Sequence, residues 1–305
     1  MKLVIRVASC SVRGLPDIVS VPRNVRRREL LGEIVESLRE HAPVDAIVLP
    51  GGYFVEGKAN AYLCLSFDER CELLKSASFA GDVLSAVEVL DKQRRGALLI
   101  FGVDTGKQLK DPTGDQLCVA WSADGPLGIG RKVFPTEDEG SGGFVVNVDD
   151  FQAQQRVVQV GKSHILLCSY YDGYGVANSP DKSRFIRQIV AGGNHMAREV
   201  GSAGREFRQA LKEGLAGWTK LVEGASGAAI AIHRFGGVGK PLSTSYWRRH
   251  GIATASAKLG GWAVAGANFE PRLPMRTRTS WRRTACPSTT FTWDSSGRRV
   301  MRRRL

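Results

Sequence analysis

The chain of 305 residues carries 43 basic and 30 acidic residues, for a formal net charge of +13, with 43% hydrophobic and 24% charged residues. That mixture excludes a mostly disordered chain, a coiled coil and a collagen-like repeat, and no run approaches the roughly 18–20 apolar residues that span a bilayer. The opening Met1-Lys2-Leu3-Val4-Ile5-Arg6-Val7 is interrupted by Arg6 and does not read as a secretory signal, so a soluble cytoplasmic protein with no membrane partner is expected.

In chain order, Lys2 to Val12 reads as a first strand. Leu30, Leu31, Ile34, Val35 and Leu38 then form one apolar stripe of a helix from about Val25 to Glu40. Ala46 to Leu49 is a short strand halted by Pro50-Gly51-Gly52, and residues 54–82 read as irregular until Val83, Leu84, Val87 and Leu90 mark a second helix. Ala97 to Val103 has the continuous apolar character of a strand covered on both faces. Gln116 to Trp121 reads as a strand, Gly125 to Gly130 as a loop, and Phe144 to Val148 and Ile165 to Cys168 as strands. Phe207, Leu211, Leu215, Trp218 and Val222 line one face of a long helix. Ala228 to Ile232 and Trp262 to Ala267 read as strands, with a helix from about Tyr246 to Lys258 between them. This alternation predicts a layered α/β fold for residues 1–270.

Composition changes near residue 271. From 274 to 305 there are nine Arg, no Lys and one acid, so residues 1–273 hold 34 bases and 29 acids. Beyond 271 a single Gly remains of the chain's 35, and Leu, Ile and Val almost vanish. Such a segment lacks the apolar surface to pack. It reads as an irregular basic tail, disordered or produced by a shifted reading frame, through which phosphate-bearing nucleic acid could be held. The six Cys (10, 64, 71, 118, 168 and 286) are scattered with no CxxC pair, which fits free thiols. Neither the five His nor Gly236-Gly237-Val238-Gly239-Lys240, which is followed by Pro241, has the spacing of a metal or phosphate site.

Two segments are candidates for chemistry. Cys168 ends the apolar run Ile165-Leu166-Leu167 and is followed by Ser169-Tyr170-Tyr171-Asp172-Gly173. A thiol at a strand end can be presented as a nucleophile, although a lone Cys beside aliphatic residues also serves as a small core hydrophobe. Arg131-Lys132-Val133-Phe134-Pro135-Thr136-Glu137-Asp138-Glu139 places a cation before an acidic run and directly after the glycine-rich stretch.

Taken together these segments resemble the carbon–nitrogen hydrolase (nitrilase) superfamily. Arg131-Lys132 with Pro135-Thr136 and Glu139 is similar to the family's lysine segment, and Ile165 to Cys168 with Tyr171-Asp172 is similar to its cysteine segment, except that Ser169 and Tyr170 intervene. Trp247 to Ala257 and Trp262 to Asn268 resemble the family's late helix and strand. The resemblance covers about residues 2–268. It implies an αββα sandwich that assembles as a homodimer or higher homo-oligomer. It also implies a site with Cys168 as nucleophile, Lys132 as oxyanion stabiliser and Glu139 as supporting carboxylate, working without metal or organic cofactor. The family's general-base Glu follows a Pro, and this chain has Gly51 at that place, with Glu56 the nearest substitute.

Three functions follow as expectations. The first is hydrolysis of a small-molecule amide or nitrile through a Cys-linked acyl-enzyme. The second is a catalytically impaired member of the same fold, acting by binding or assembly. The third is nucleic-acid binding through the Arg-rich tail.

Overall fold

The computed structural model describes residues 5–13, 23–39, 43–106, 114–135, 146–177, 203–235, 252–259, 262–269 and 289–293. The first strand, β1 (Val7–Arg13), is followed by helix α1 (Arg23–Arg39) and strands β2 (Ala46–Val48) and β3 (Phe54–Val55). Helices α2 (Phe67–Lys75) and α3 (Ala80–Gln93) lead into β4 (Leu98–Asp104), β5 (Gln116–Ser122) and β6 (Gly125–Arg131). A short helix, α4 (Asp149–Gln152), precedes β7 (Val157–Val160), β8 (Ser163–Ser169) and α5 (Asp172–Ala177). The remaining elements are α6 (Ala203–Gly224), β9 (Gly227–Phe235), α7 (Ile252–Lys258), β10 (Trp262–Phe269) and β11 (Thr289–Trp293).

The strands join in the order β6-β5-β4-β2-β1-β10-β9-β8-β7, with β3 on β4 and β11 on β1. From β4 to β8 each pairing along this path is parallel, while β5, β6 and β7 add antiparallel margins. The sheet turns back on itself, so that its first half faces its second. Ala46, Val48, Leu98, Ile100, Cys118 and Ala120 of one half pack with Val158, Ile165, Leu167, Ala229, Ala231 and Val264 of the other. On the outer side of the first half, Leu30, Leu31, Ile34, Val35 and Leu38 of α1 join α3 over Ile47, Leu99 and Phe101. On the other outer side, Leu211, Trp218, Leu221 and Val222 of α6 cover Leu166, Cys168, Ala228 and Ile230. Three apolar layers between two helix layers make this an αββα sandwich, the layering expected.

The two halves press together at β6. A Cβ added to Gly128 would collide with Val158 Cγ1, and one on Gly130 with the carbonyl oxygen of Leu167. Glycine is therefore required by the approach of β7 and β8, and Gly125–Arg131 is a strand where the sequence suggests a loop at Gly125 to Gly130.

Other differences are local. α2 lies in the stretch that reads as irregular and begins with a reciprocal cap: Ser66 accepts from Glu69 N, and the Glu69 carboxylate accepts from Ser66 N. Residues 146–148, expected as the end of a strand, are not extended into one; the Asn147 side chain accepts from Asp149 N and opens α4 instead. Residues 144–145 lie outside the described residues. The tail, expected to be irregular, contributes β11, parallel to β1, from the β-branched and aromatic run Thr289-Thr290-Phe291-Thr292-Trp293. The rest of the Arg-rich tail lies outside the described residues. Among those described, no helix is long and apolar enough to cross a membrane.

Candidate active site

The carboxyl ends of parallel strands are where open α/β sheets hold their ligands, and the polar side chains buried in this fold gather there. β6 delivers Lys132. The Lys132 backbone N–H donates to the Gln116 carbonyl (2.8 Å), and its Nζ donates to Gln116 Oε1 (3.0 Å). The ammonium lies 5.0 Å from the centre of the Tyr170 ring and 5.7 Å from that of Tyr171, within cation–π range of both. Lys132 is fully buried.

Two devices hold Lys132 there. Before it, the Arg131 guanidinium is clamped by Asp115 (2.6 Å) and Asp150 (3.3 Å), and Asp150 is also paired with Arg70 (2.6 Å). After it, Asp172 accepts from the backbone N–H groups of Val133 (3.0 Å), Phe134 (3.1 Å) and Ser169 (3.2 Å), with Arg156 3.4 Å away. One carboxylate thus ties the lysine segment to the end of β8. Burial pushes the Asp172 carboxyl up, against the downward pull of Arg156 and the three N–H donors.

The residue that turns the chain out of β8 is Tyr170. Its φ is +46°, a left-handed conformation that a bulky side chain adopts only when its surroundings enforce it. Here the Tyr170 N–H donates to the Ala231 carbonyl of β9 (2.9 Å). Against the Tyr170 ring, edge to face with centroids 5.5 Å apart, stands His233 of β9. Its Nε2 is 2.6 Å from Asp104 Oδ1, at the end of β4, and both side chains are 1% exposed.

The chain from Leu49 to Gly51 threads between these strands. Gly51 N–H donates to the Ile232 carbonyl (3.1 Å), and the Pro50 carbonyl accepts from Gly102 N–H (3.1 Å). A Cβ on Gly51 would meet Ala231 O and His233 N at 2.7 Å and His233 Nδ1 at 2.8 Å, and one on Gly102 would meet Gly51 Cα at 2.5 Å. No side chain fits at position 51, because the backbone of β9 and the His233 imidazole occupy its space.

The expected site residues fare differently. Lys132 is in the cluster. Cys168 lies inside β8 rather than at its turn, fully buried in the apolar layer beneath α6. Burial there pushes its thiol well above the ordinary range, with Asp172 adding to the rise. Such a thiol stays protonated and is a poor nucleophile. The turn position expected for it belongs to Tyr170. Glu56 follows β3 and directs its carboxylate to Asn24 Nδ2 (3.2 Å) and Ser78 Oγ (2.5 Å), so its charge is engaged by α1 and the segment before α3. Glu139 lies outside the described residues. Among the described residues, no cluster of His, Cys, Asp or Glu could hold a metal ion.

Asp104, Gln116, Tyr170 and His233 are absent from the sequence expectation. Asp104 and His233 do carry a signal, since each is a titratable residue placed directly after an apolar strand run, Leu98 to Val103 and Ala228 to Ile232. Their pairing spans 129 positions, and only the strand order reveals it.

The sequence matches no protein-family model and no curated protein. Among solved structures, an amidase from Nesterenkonia sp. is similar at 11% identity and TM-score 0.43, covering 86% of this chain and 74% of that one. A mutant of the Nesterenkonia AN1 amidase, described as from the nitrilase superfamily, gives 12% and 0.42 over 86% and 74%. A carbon-nitrogen hydrolase from Helicobacter pylori G27 gives 12% and 0.45 over 87% and 73%. These likenesses carry no correspondence of individual residues, and the site stands on its own geometry.

Proposed function

We propose that this chain is a divergent nitrilase-type protein whose strand-end cluster binds a small-molecule amide and hydrolyses its carbon–nitrogen bond, with Lys132 holding the carbonyl oxygen. The observation that carries the reading is the buried ammonium of Lys132, fixed between Gln116 and the Tyr170 ring by clamps on either side. An ammonium held in a water-poor site stabilises the negative charge that develops on a carbonyl oxygen far better than one in bulk water, and needs no reorganisation at the moment of reaction. An acyl-enzyme on Cys168 is not part of this reading, because burial pushes the thiol well above its ordinary range and apolar side chains enclose it.

Binding without turnover is the second reading, favoured by the steric closure of position 51, which denies the site the family's carboxylate. Ammonia release from a panel of primary amides (acetamide, propionamide, benzamide), followed beside calorimetric binding of the same compounds, separates the two. Hydrolysis is expected for the native chain. Lys132→Met should lower kcat about 10²–10³-fold, the cost of losing one oxyanion donor, and Cys168→Ala should retain it. Binding with no ammonia released establishes the second reading; loss of turnover in Cys168→Ala with the fold intact restores the thiol mechanism.

A further inference from the structure

The missing carboxylate at position 51 leaves the site without the proton acceptor that amide hydrolysis needs, unless another group supplies it. The structure puts an imidazole at that spot. The atom nearest to a side chain that would grow from Gly51, apart from β9 backbone, is His233 Nδ1 at 2.8 Å. The other ring nitrogen, Nε2, is 2.6 Å from Asp104 Oδ1. An ionised Asp104 carboxylate can only accept, and in a neutral imidazole that pairing makes Nε2 the donor and Nδ1 the nitrogen able to take a proton.

We infer that the Asp104–His233 pair is the proton-transfer pair of this site, taking the place of the carboxylate that Gly51 excludes; the inference rests on the hydrolase reading above. An orienting carboxylate, an imidazole and a ring or amine beside them form the arrangement by which a histidine is held in one tautomer and its imidazolium stabilised once it forms. The groups facing the imidazole are Asp104 from β4, Tyr170 from the end of β8 and the Gly51 backbone, and the Lys132 ammonium lies 5.0 Å from the centre of the same tyrosine ring.

The step balances with water as co-reactant. His233 Nδ1 takes a proton from water as the water oxygen bonds to the amide carbon, and the carbonyl oxygen becomes an oxyanion beside Lys132. The carbon–nitrogen bond then breaks as the imidazolium returns that proton to the leaving nitrogen. A carboxylic acid and ammonia or an amine leave, and no covalent enzyme intermediate forms.

Two measurements on the full chain test this. In the first, ammonia release from the amide panel is compared in native protein, His233→Gln and Asp104→Asn, the latter conserving shape should His233→Gln fold poorly. Both variants are expected to lose about 10²–10⁴-fold in kcat, the worth of a positioned acid–base group, and His233→Gln should also abolish the fall of kcat toward acidic pH that protonation of the base produces. Native kcat with an unchanged acidic limb in His233→Gln overturns the inference while leaving the hydrolase reading standing. In the second, nitrogen-15 imidazole spectra of the native chain, with the His233 signal identified by its loss in His233→Gln, read the tautomer directly. Protonated Nε2 with unprotonated Nδ1 is expected. Protonated Nδ1 overturns the inference, whatever the amide panel shows. If no amide is hydrolysed, the hydrolase reading fails and the catalytic role falls with it.

Discussion

Gly51 shows how one residue can be decided by backbone rather than by chemistry. Strands β9 and β4 close on it from two sides, and the carbonyl of Ala231 and the amide of His233 crowd the place its Cβ would take. Even alanine should be poorly tolerated. Gly51→Ala is expected to cost about 1–3 kcal/mol in urea unfolding, the usual penalty for forcing a methyl into a filled core, and to shift the His233 ring signals in the same protein. An unaltered midpoint would mean that β9 yields at this point. Lys132 was legible in the sequence from the Arg-Lys and Pro-Thr pattern, because the chemistry is carried by neighbours in the chain. His233 was not, because its significance comes from Asp104 across the sheet and from Gly51 beneath it.

Among the elements, the tie between β6 and β8 has the largest consequences. Asp172 is the knot: it gathers two N–H groups of the lysine segment and one from the end of β8 onto a single buried carboxylate. Asp172→Ala should leave three buried donors and Arg156 without their acceptor, a loss of about 3–5 kcal/mol on the scale of broken buried ion pairs. Amide binding should weaken in the surviving folded fraction, since Lys132 loses its downstream anchor. Retention of both stability and binding would show that Arg156 and the backbone find other partners. The elements most easily read in the sequence are those with a one-sided apolar stripe: in α1 the marked Leu30, Leu31, Ile34, Val35 and Leu38 are buried, and in α6 the marked Leu211, Trp218 and Val222 are, with Leu215 partly covered and Leu221 buried besides. The sequence of β6 reads as a loop because its glycines, which answer to the strands packed against them, resemble those of a turn. α2 was open to being read from Ser66 and Glu69, a capping pair three positions apart.

For the whole molecule, the layered α/β architecture follows from the alternation of strands and helices, whereas the order that sets β1 beside β10 and folds the sheet onto itself depends on contacts between distant parts of the chain. That folding seals thiols into the interior. Burial raises Cys118 from its ordinary 9.0 to about 12, and pushes Cys10 and Cys168 up as well. Each therefore keeps its proton in the folded state at a pH where the unfolded chain has released it. Their contribution to stability is complete below pH 9 and is lost progressively above it, at up to about 1.4 kcal/mol per pH unit for each thiol. The urea midpoint should fall as the pH rises from about 9 to 11, and fall less steeply in Cys118→Ala. A slope identical in native protein and variant would place that sulfur in contact with solvent.

The backbone-to-backbone seat of Gly130 on Leu167 has a mechanical meaning. With no side chain between them to act as a cushion, a push that moves the tip of β8 is expected to be passed to Gly130 and so to the ammonium two residues beyond it. A ligand pressing on the tyrosine ring would thus reset the cation that greets its oxygen, coupling how the guest is held to how its charge is met.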